Sequence, residues 1–579
     1  MKRIYLYLIF ALLIFSSCNK QDFLNRYPQD AITDANYWKT TSDLELYVNQ
    51  YYVKFPNLYE MTSSTGTGIY GVDNNSDNMV PAMFNKTLGG TNTVAATGGG
   101  WDWGDIRSTN IFLANYKSCT SPIADYNTFV GEAMFFKAFF YFNLMRKFGD
   151  LPWYSKPLET DSPQLYDPRL ARNVVADSII SLLDNAAGRL KEKGKETSFR
   201  VYKELALLLK ARVALYEGTW EKYHAGTAFG VTGSDPNKYL QLAAAAAENV
   251  MSTGKFKLYS TGKTNLDYIN LFNNNDYSSV SEIMLWAKYD IKLGMGHSAF
   301  LTSYNGRGTG LSKSILESYL CSDGLPISMS PLYKGDATYL TATQSRDSRL
   351  TQTLYMPGDP VRILNGVVLA TFQYPEIDNA SSGGLNTTGY EIEKGHRPVK
   401  YSSADFFDSD QATILFRYAE ALLIFAEAKA ELGTIAQGDL DKSINLLRAR
   451  VGMPSMNLGD INGWTNTKEF PSLSNIINEV RRERKIELAV EGYRFDDLCR
   501  WRAHNLISGV KPLGAKFVQA SYPTMVVGKN IYVNGDGYIE PYQKSLPAGW
   551  GFKPDRDYLS PIPTNELTLN AKLKQNPGW

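Results

Sequence analysis

The alternation of apolar and polar positions divides the chain into helical blocks and irregular ones. Residues 129–153, FVGEAMFFKAFFYFNLMRKFGDLPW, are apolar on nearly every side until Gly149 and Pro152, which predicts a central helix buried all round. Residues 41–55, TSDLELYVNQYYVKF, repeat apolar positions at Leu44, Tyr47, Val48 and Tyr51 behind Ser42 as N-cap. The stretches VYKELALLLKARVALYEGTW and YLQLAAAAAENVMSTG follow, each long enough for about four helical turns. Downstream, ATILFRYAEALLIFAEAKAELG (412–433), DLDKSINLLRARVG and NIINEVRRERKIELAVEGYRFDDLCRW restore the same texture. Ala206, Ala211, Ala419, Ala426 and Ala430 fall at close-contact positions of these segments. Small residues there let paired helices approach, which is the logic of tetratricopeptide-type repeats, although the full repeat consensus is absent.

Between the helical blocks, residues 255–400 carry clusters of Gly, Asn, Ser and Tyr with short β-prone runs such as EIMLWAKYD and GVVLATFQY. Residues 508–561 form a second irregular region. Loops of that length in a compact protein are usually functional. At the start, MKRIYLYLIFALLIFSSCNK places Lys2 and Arg3 before an apolar run from Ile4 to Phe15 and small residues before Cys18. That is an export signal, too short to remain as a spanning helix. Ser16 and Ser17 before Cys18 resemble a lipoprotein processing site, with Phe15 standing where an aliphatic residue is usual. Cys18 is thus expected to carry the lipid, and acyl chains worth about 0.8 kcal/mol per buried methylene would hold the body at a membrane.

Composition narrows the chemistry. The 60 basic and 59 acidic residues leave a formal charge of +1, so no whole-molecule field draws the chain to nucleic acid. The charged run RRERK (481–485) reads instead as a solvated, ion-paired helix face with Glu479, Glu483 and Glu487. Cys18, Cys119, Cys321 and Cys499 form no C-x-x-C pair, and a disulfide between two of them stays open. His224, His297, His396 and His504 lack metal-ligand spacing and read as surface or satisfied core residues. The 37 Tyr and 10 Trp exceed what a helical core needs and leave rings for a binding surface.

At GEAMFFKAFFYFNLMRKFGDLPW the chain resembles the SusD/RagB family of outer-membrane nutrient-binding lipoproteins. Further family-like segments follow in order: DANYWKTTSDLELYVNQYY, WGDIRSTNIFLAN, RDSRL (346–350), FRYAEALLIFAEAKAELG, VRRERKIELAVEGYRFDDLCRW and RDYLSPIPTNELTLNAKLKQNPGW. The resemblance implies a mainly α fold, a tetratricopeptide-like helical-repeat scaffold with a large loop-rich, partly β ligand-binding region. The expected division is a signal peptide over 1–17 and one SusD-like body over 18–579. The scaffold is expected at about 30–255, about 405–507 and the C-terminal end, and the ligand-binding region at about 256–404 and 508–561. It also implies a glycan-binding protein of the cell surface, not an enzyme. Such proteins deliver oligosaccharide to a SusC-like TonB-dependent barrel. The alternative class is a surface glycoside hydrolase using paired carboxylates, but no G-x-S-x-G, Walker A, dinucleotide fingerprint or metal triad occurs.

A sugar ring offers an apolar face and a rim of hydroxyls, so its site needs aromatic platforms and forked hydrogen-bonding groups. In TGGGWDWGD (97–105), the glycines leave indole faces open. The family pattern implies a glycan-contacting Trp just before DIRSTNIFLAN, with Trp101 the better placed to be exposed and Trp103 adjoining the helix. In the preceding loop, Asp73, Asn75 and Asp77 are candidates for vicinal hydroxyls. A calcium loop competes there, but Asn78 replaces its glycine and Phe84 its closing glutamate, so no cofactor is expected. Tyr304 and Arg307, in a glycine-flanked tip, and Arg397 complete the candidate contacts.

Overall fold

The computed structural model describes residues 37–56, 71–297, 308–377, 386–400, 409–464 and 469–579. Cys18, Tyr304 and Arg307 lie outside them. The first helix, α1 (Thr41–Asn49), is capped by Thr40, whose side chain accepts from the Asp43 N–H while Asp43 returns a bond to the Thr40 N–H. This capping box displaces the expected Ser42 cap by two residues. Helices α2 (Gly104–Asn115), α3 (Ile123–Phe148), α4 (Arg172–Ala187), α5 (Lys203–His224) and α6 (Pro236–Met251) follow. Each of α3 to α6 packs on the next, and α1 and α2 pack on α3.

Close approach between the paired helices is built with small residues. A Cβ on Gly131 of α3 would stand 3.0 Å from Leu190 Cγ and 3.2 Å from the Ala186 carbonyl. One on Gly218 of α5 would meet Leu240 Cγ at 3.0 Å and its backbone N at 3.1 Å. The neighbouring Glu132 is buried and pairs with Arg200 at 2.7 Å, which accounts for the Gly-Glu-Ala run in α3. Helix α3 ends where Gly149 takes φ 73°, its N–H bonding to the Met145 carbonyl at 2.9 Å.

The scaffold resumes at α7 (Tyr418–Glu431), which packs on α6 although more than 160 residues separate them in sequence. The irregular middle is therefore an insertion between two neighbouring helices. At its base, strand β1 (Ile283–Ala287) pairs antiparallel with β5 (Thr413–Arg417), and β5 runs directly into α7. The expected helix over 412–433 thus begins as a strand, because Thr413 and Ile414 favour the pleated surface that β1 offers. A second sheet has the order β3-β2-β4, from the hairpin β2 (Pro360–Leu364) and β3 (Val367–Thr371) plus β4 (Val399–Lys400), parallel to β2.

Helices α8 (Asn475–Glu487) and α9 (Arg494–Arg500) then join scaffold to insertion, and α8 corrects the expectation of a solvated charged face. Arg481, Glu483, Arg484, Lys485 and Glu487 are all buried. Glu487 meets Arg450 at 2.7 Å, Arg417 at 2.8 Å and Arg349 at 3.0 Å. Arg349 also pairs with Asp347 (2.7 Å) and Glu483 (2.6 Å), which explains the RDSRL motif. Arg417 reaches Glu282 at 3.2 Å and Glu491 at 2.7 Å, and Lys394 joins Glu491 at 2.6 Å. Burial alone would raise the Glu487 carboxyl, yet Arg450, Arg417 and Arg349 hold it far below the usual carboxylate range. This knot ties the strand base, α8 and the insertion together. Arg481 sits between the rings of Trp501 (4.3 Å), Phe470 (4.4 Å) and Tyr223 (4.7 Å) while bonding Glu431.

Among the described residues, Cys119, Cys321 and Cys499 are free thiols. His224, His297 and His396 are buried with ring nitrogens bonded to backbone carbonyls. No helix among the described residues is long and apolar enough to cross a membrane.

Candidate functional site

The glycine run before Trp101 bends the chain rather than loosening it. Gly98, Gly99 and Gly100 take φ of 74°, 59° and 84°, all in the left-handed region closed to most side chains. The Trp101 N–H closes the turn on the Gly98 carbonyl at 3.0 Å. At the next residue the Asp102 carboxylate accepts from the Gly104 N–H at 2.8 Å, where α2 starts. The two indoles are thereby presented side by side, 5.3 Å apart and nearly perpendicular.

Their exposure reverses the sequence expectation. Trp101 is only 8% exposed, its ring packed edge-on against Phe148 at 5.0 Å. Trp103 is half-buried and meets Tyr154 at 5.1 Å and Tyr141 at 6.1 Å. Both tryptophans line a cavity of about 420 Å³ with Tyr154, Tyr166, Arg107, Lys156 and Glu566. Tyr166, 51% exposed, stands at the rim with Leu165 and Leu569. The open aromatic surface is therefore Trp103, Tyr154 and Tyr166, with Trp101 supporting Trp103 from behind.

Asn110 of α2 shapes the opposite wall. Its amide donates to the Tyr154 carbonyl at 3.1 Å and the Lys156 carbonyl at 3.2 Å, pinning the 152–158 loop beside Trp103. Its oxygen accepts from Lys137 at 2.6 Å. Burial pushes the Lys137 ammonium down to about 8. The third wall comes from the C-terminal helix α10 (Thr564–Leu569) and Asn570, whose amide donates to the Asp167 carbonyl at 3.0 Å. Thr564 and Asn565 donate from the backbone to the Ala95 and Ala96 carbonyls, docking this segment beside the glycine turn.

The remaining candidates lie elsewhere, and two are corrected. Asp73 is fully buried, accepting from the Val490 N–H at 2.9 Å and Asn78 at 3.2 Å. Burial pushes its carboxyl up to about 6, against the pull of those two donors. Asp77 receives Arg494 in a two-pronged pair, 2.7 and 2.8 Å, and Lys485 at 3.1 Å. Burial would raise it, but Arg494 and Lys485 outweigh that and hold it far below the carboxylate range. Both carboxylates are engaged by partners inside the fold, and neither lines the aromatic cavity. Asn75 is half-buried in the same loop, outside the aromatic cavity. Arg397 is tied to Asp410 and also lies outside that cavity. Sequence reasoning missed Arg107, Tyr154, Tyr166 and Glu566, which reach the cavity from three distant segments.

A larger cavity of about 460 Å³ lies under β5, lined by Arg146, Arg212, Arg417, Arg484 and Arg500 among aromatic rings. Each of these guanidinium groups is paired with a carboxylate: Asp496, Glu420, Glu487, Asp497 and Glu427 in turn. It belongs to the charged framework, and none of the predicted contacts lines it.

Comparison with known proteins follows the same outline. The SusD family model matches residues 248–579. SusD-like protein P2 of Formosa agariphila is 25% identical over 591 residues, spanning 100% of both chains. SusD-like protein P38 of the same organism is 24% identical over 505 residues, 85% of this chain and 90% of that one. Among solved structures, a SusD-like carbohydrate binding protein from Bacteroides fragilis superposes with a TM-score of 0.69 at 22% identity, covering 93% of this chain and 100% of that one. A laminarin binding SusD-like protein gives 0.55 at 18% identity, covering 93% and 100%. With the family model spanning more than half its length and the helical scaffold interrupted by one large insertion, this chain belongs to the SusD family.

Proposed function

We propose that this protein is a cell-surface glycan-binding lipoprotein that captures oligosaccharide and hands it to a SusC-like TonB-dependent outer-membrane transporter. The observation that carries the reading is the cavity where Trp103, Tyr154 and Tyr166 stand open beside Arg107 and Glu566. Rings of this kind stack on the apolar face of a sugar, and forked polar groups take its hydroxyls. Relatives described as carbohydrate and laminarin binding support the same class of ligand. Capture without catalysis is favoured because Glu566 is the one carboxylate among the residues lining the cavity, whereas glycoside hydrolysis ordinarily uses two. Anchoring falls to the lipid expected on Cys18.

The test is retention on a glycan panel with product analysis. Wild type should retain at least one oligosaccharide without generating new reducing ends. Trp103→Ala should weaken retention about fivefold, the worth of one stacked ring of about 1 kcal/mol. Release of shorter products would establish an enzyme, and full retention by the variant would remove this cavity from the site.

A further inference from the structure

The lining of the aromatic cavity carries two cationic side chains, Arg107 and Lys156, and one carboxylate, Glu566. Arg107 lines it with a half-exposed guanidinium that donates, among the described residues, one hydrogen bond, to the Leu158 carbonyl. Its nearest carboxylate, Glu159, stands 4.0 Å away and is 75% exposed, so water screens that pair heavily. Lys156 lines the same side, exposed, with no carboxylate within ion-pair distance among the described residues. Behind them lies Lys137, buried, with the Asn110 oxygen and the Trp153 ring (5.6 Å) as its neighbours in place of a counter-charge. Against the two lining cations, Arg107 and Lys156, the lining offers one carboxylate, Glu566, from the C-terminal wall.

A buried ammonium without a counter-ion is costly, and its field in a low-dielectric wall reaches further than it would in water. Asn110, which accepts from Lys137, is itself part of the cavity lining, so that field bears on its wall. Arginine's planar fork matches a pair of anionic oxygens, and lysine adds a point charge beside it. Building on the glycan-capture reading, we infer that this cavity is made for an acidic sugar, whose anionic oxygens pair with Arg107 and Lys156 while its ring stacks on Trp103 and Tyr166. Glu566, facing them, accepts from the sugar's hydroxyls and sets the orientation of the ring. A uronate carboxylate and a sulfate ester both present such oxygens.

The experiment uses matched pairs on the full mature chain. Polygalacturonate, alginate and glucuronoxylan oligosaccharides are compared with their carboxyl-reduced forms, and sulfated galactans with their desulfated forms, by titration calorimetry. The expected result is a preference of about tenfold or more for at least one anionic member over its neutralised partner, the worth of a charge-assisted hydrogen-bonded pair. A carboxyl-specific preference assigns a uronate, and a sulfate-specific one assigns an ester. Arg107→Gln and, independently, Lys156→Gln should each erode that preference, and salt should weaken the anionic ligand more than its neutral partner. Lys156 is exposed, so its variant keeps the test valid if the loop at Leu158 needs Arg107. Equal affinity for both members of every pair, with binding still sensitive to Trp103→Ala, overturns the charge inference and leaves glycan capture standing. No binding to any glycan overturns both.

Discussion

Glu487→Gln removes one negative charge from a point where three guanidinium groups converge. Arg349, Arg417 and Arg450 are all buried, and Gln keeps the shape of the side chain while removing its charge. Breaking such a buried pair costs about 3–5 kcal/mol, because the partners left behind stay desolvated. With an unfolding entropy of about 2.1 cal/mol/K per residue, a chain of 579 residues changes by about 1.2 kcal/mol for each degree near its midpoint. The expected loss is therefore a drop in Tm of about 2.5–4 °C. Differential scanning calorimetry at one scan rate measures it. The pH dependence gives a second handle. A carboxyl held far below its ordinary range contributes stability that is present above its unfolded value of 4.5 and is lost as pH falls toward the folded one. The gap between wild type and variant should accordingly be constant from pH 5 to about 8 and shrink below about 4. A Tm within about 1 °C of wild type at neutral pH would refute the claim that this knot holds scaffold and insertion together.

Asp73→Asn should show the opposite slope. The native carboxyl, raised from 3.8 to about 6, favours the fold while protonated, so wild type should lose about 2.4 kcal/mol relative to the variant as pH rises from 4 to 7. Urea titrations at several pH values would read this, and parallel curves would refute it. Trp101→Ala should cost about 3–5 kcal/mol through the void left against Phe148, lowering Tm while the helical circular-dichroism signal at 25 °C is kept. An unchanged Tm would mean the indole is not packed as described. Cys18→Ala should move the protein from membrane to soluble fractions on cell lysis, and continued sedimentation with membranes would demand another anchor.

The helical scaffold was legible because its signals are local. Alanine and glycine at contact positions, the all-round apolar α3 and the Gly149 stop are each readable within a few turns. TILFR reads as helix because four of its five residues are apolar or β-branched and it abuts α7 with no turn signal between, and only the distant β1 makes it a strand. The RRERK run failed for a related reason. Its partners Glu431 and Asp77 lie 50 and more than 400 residues away, so spacing within the helix suggested solvent where the fold supplies carboxylates. Asp73 and Asp77 looked like loop acids for the same reason, since Val490 and Arg494 reach them from the far end of the chain. Trp101 and Trp103 were visible as a pair, but which ring stays open depends on Phe148 and Tyr154, from a different segment. Arg107 lay in plain sight one helical turn beyond Trp103, and its position four residues on was the signal that could have found it.

The aromatic cavity draws its walls from residues 101–110, 152–166 and 566–573, so more than 450 positions separate its first contributor from its last. A nascent chain emerging from the ribosome therefore presents an open trough, and the hollow closes only when the final stretch docks against the Ala95–Ala96 backbone. Any ligand held there would clamp together segments that the sequence sets far apart.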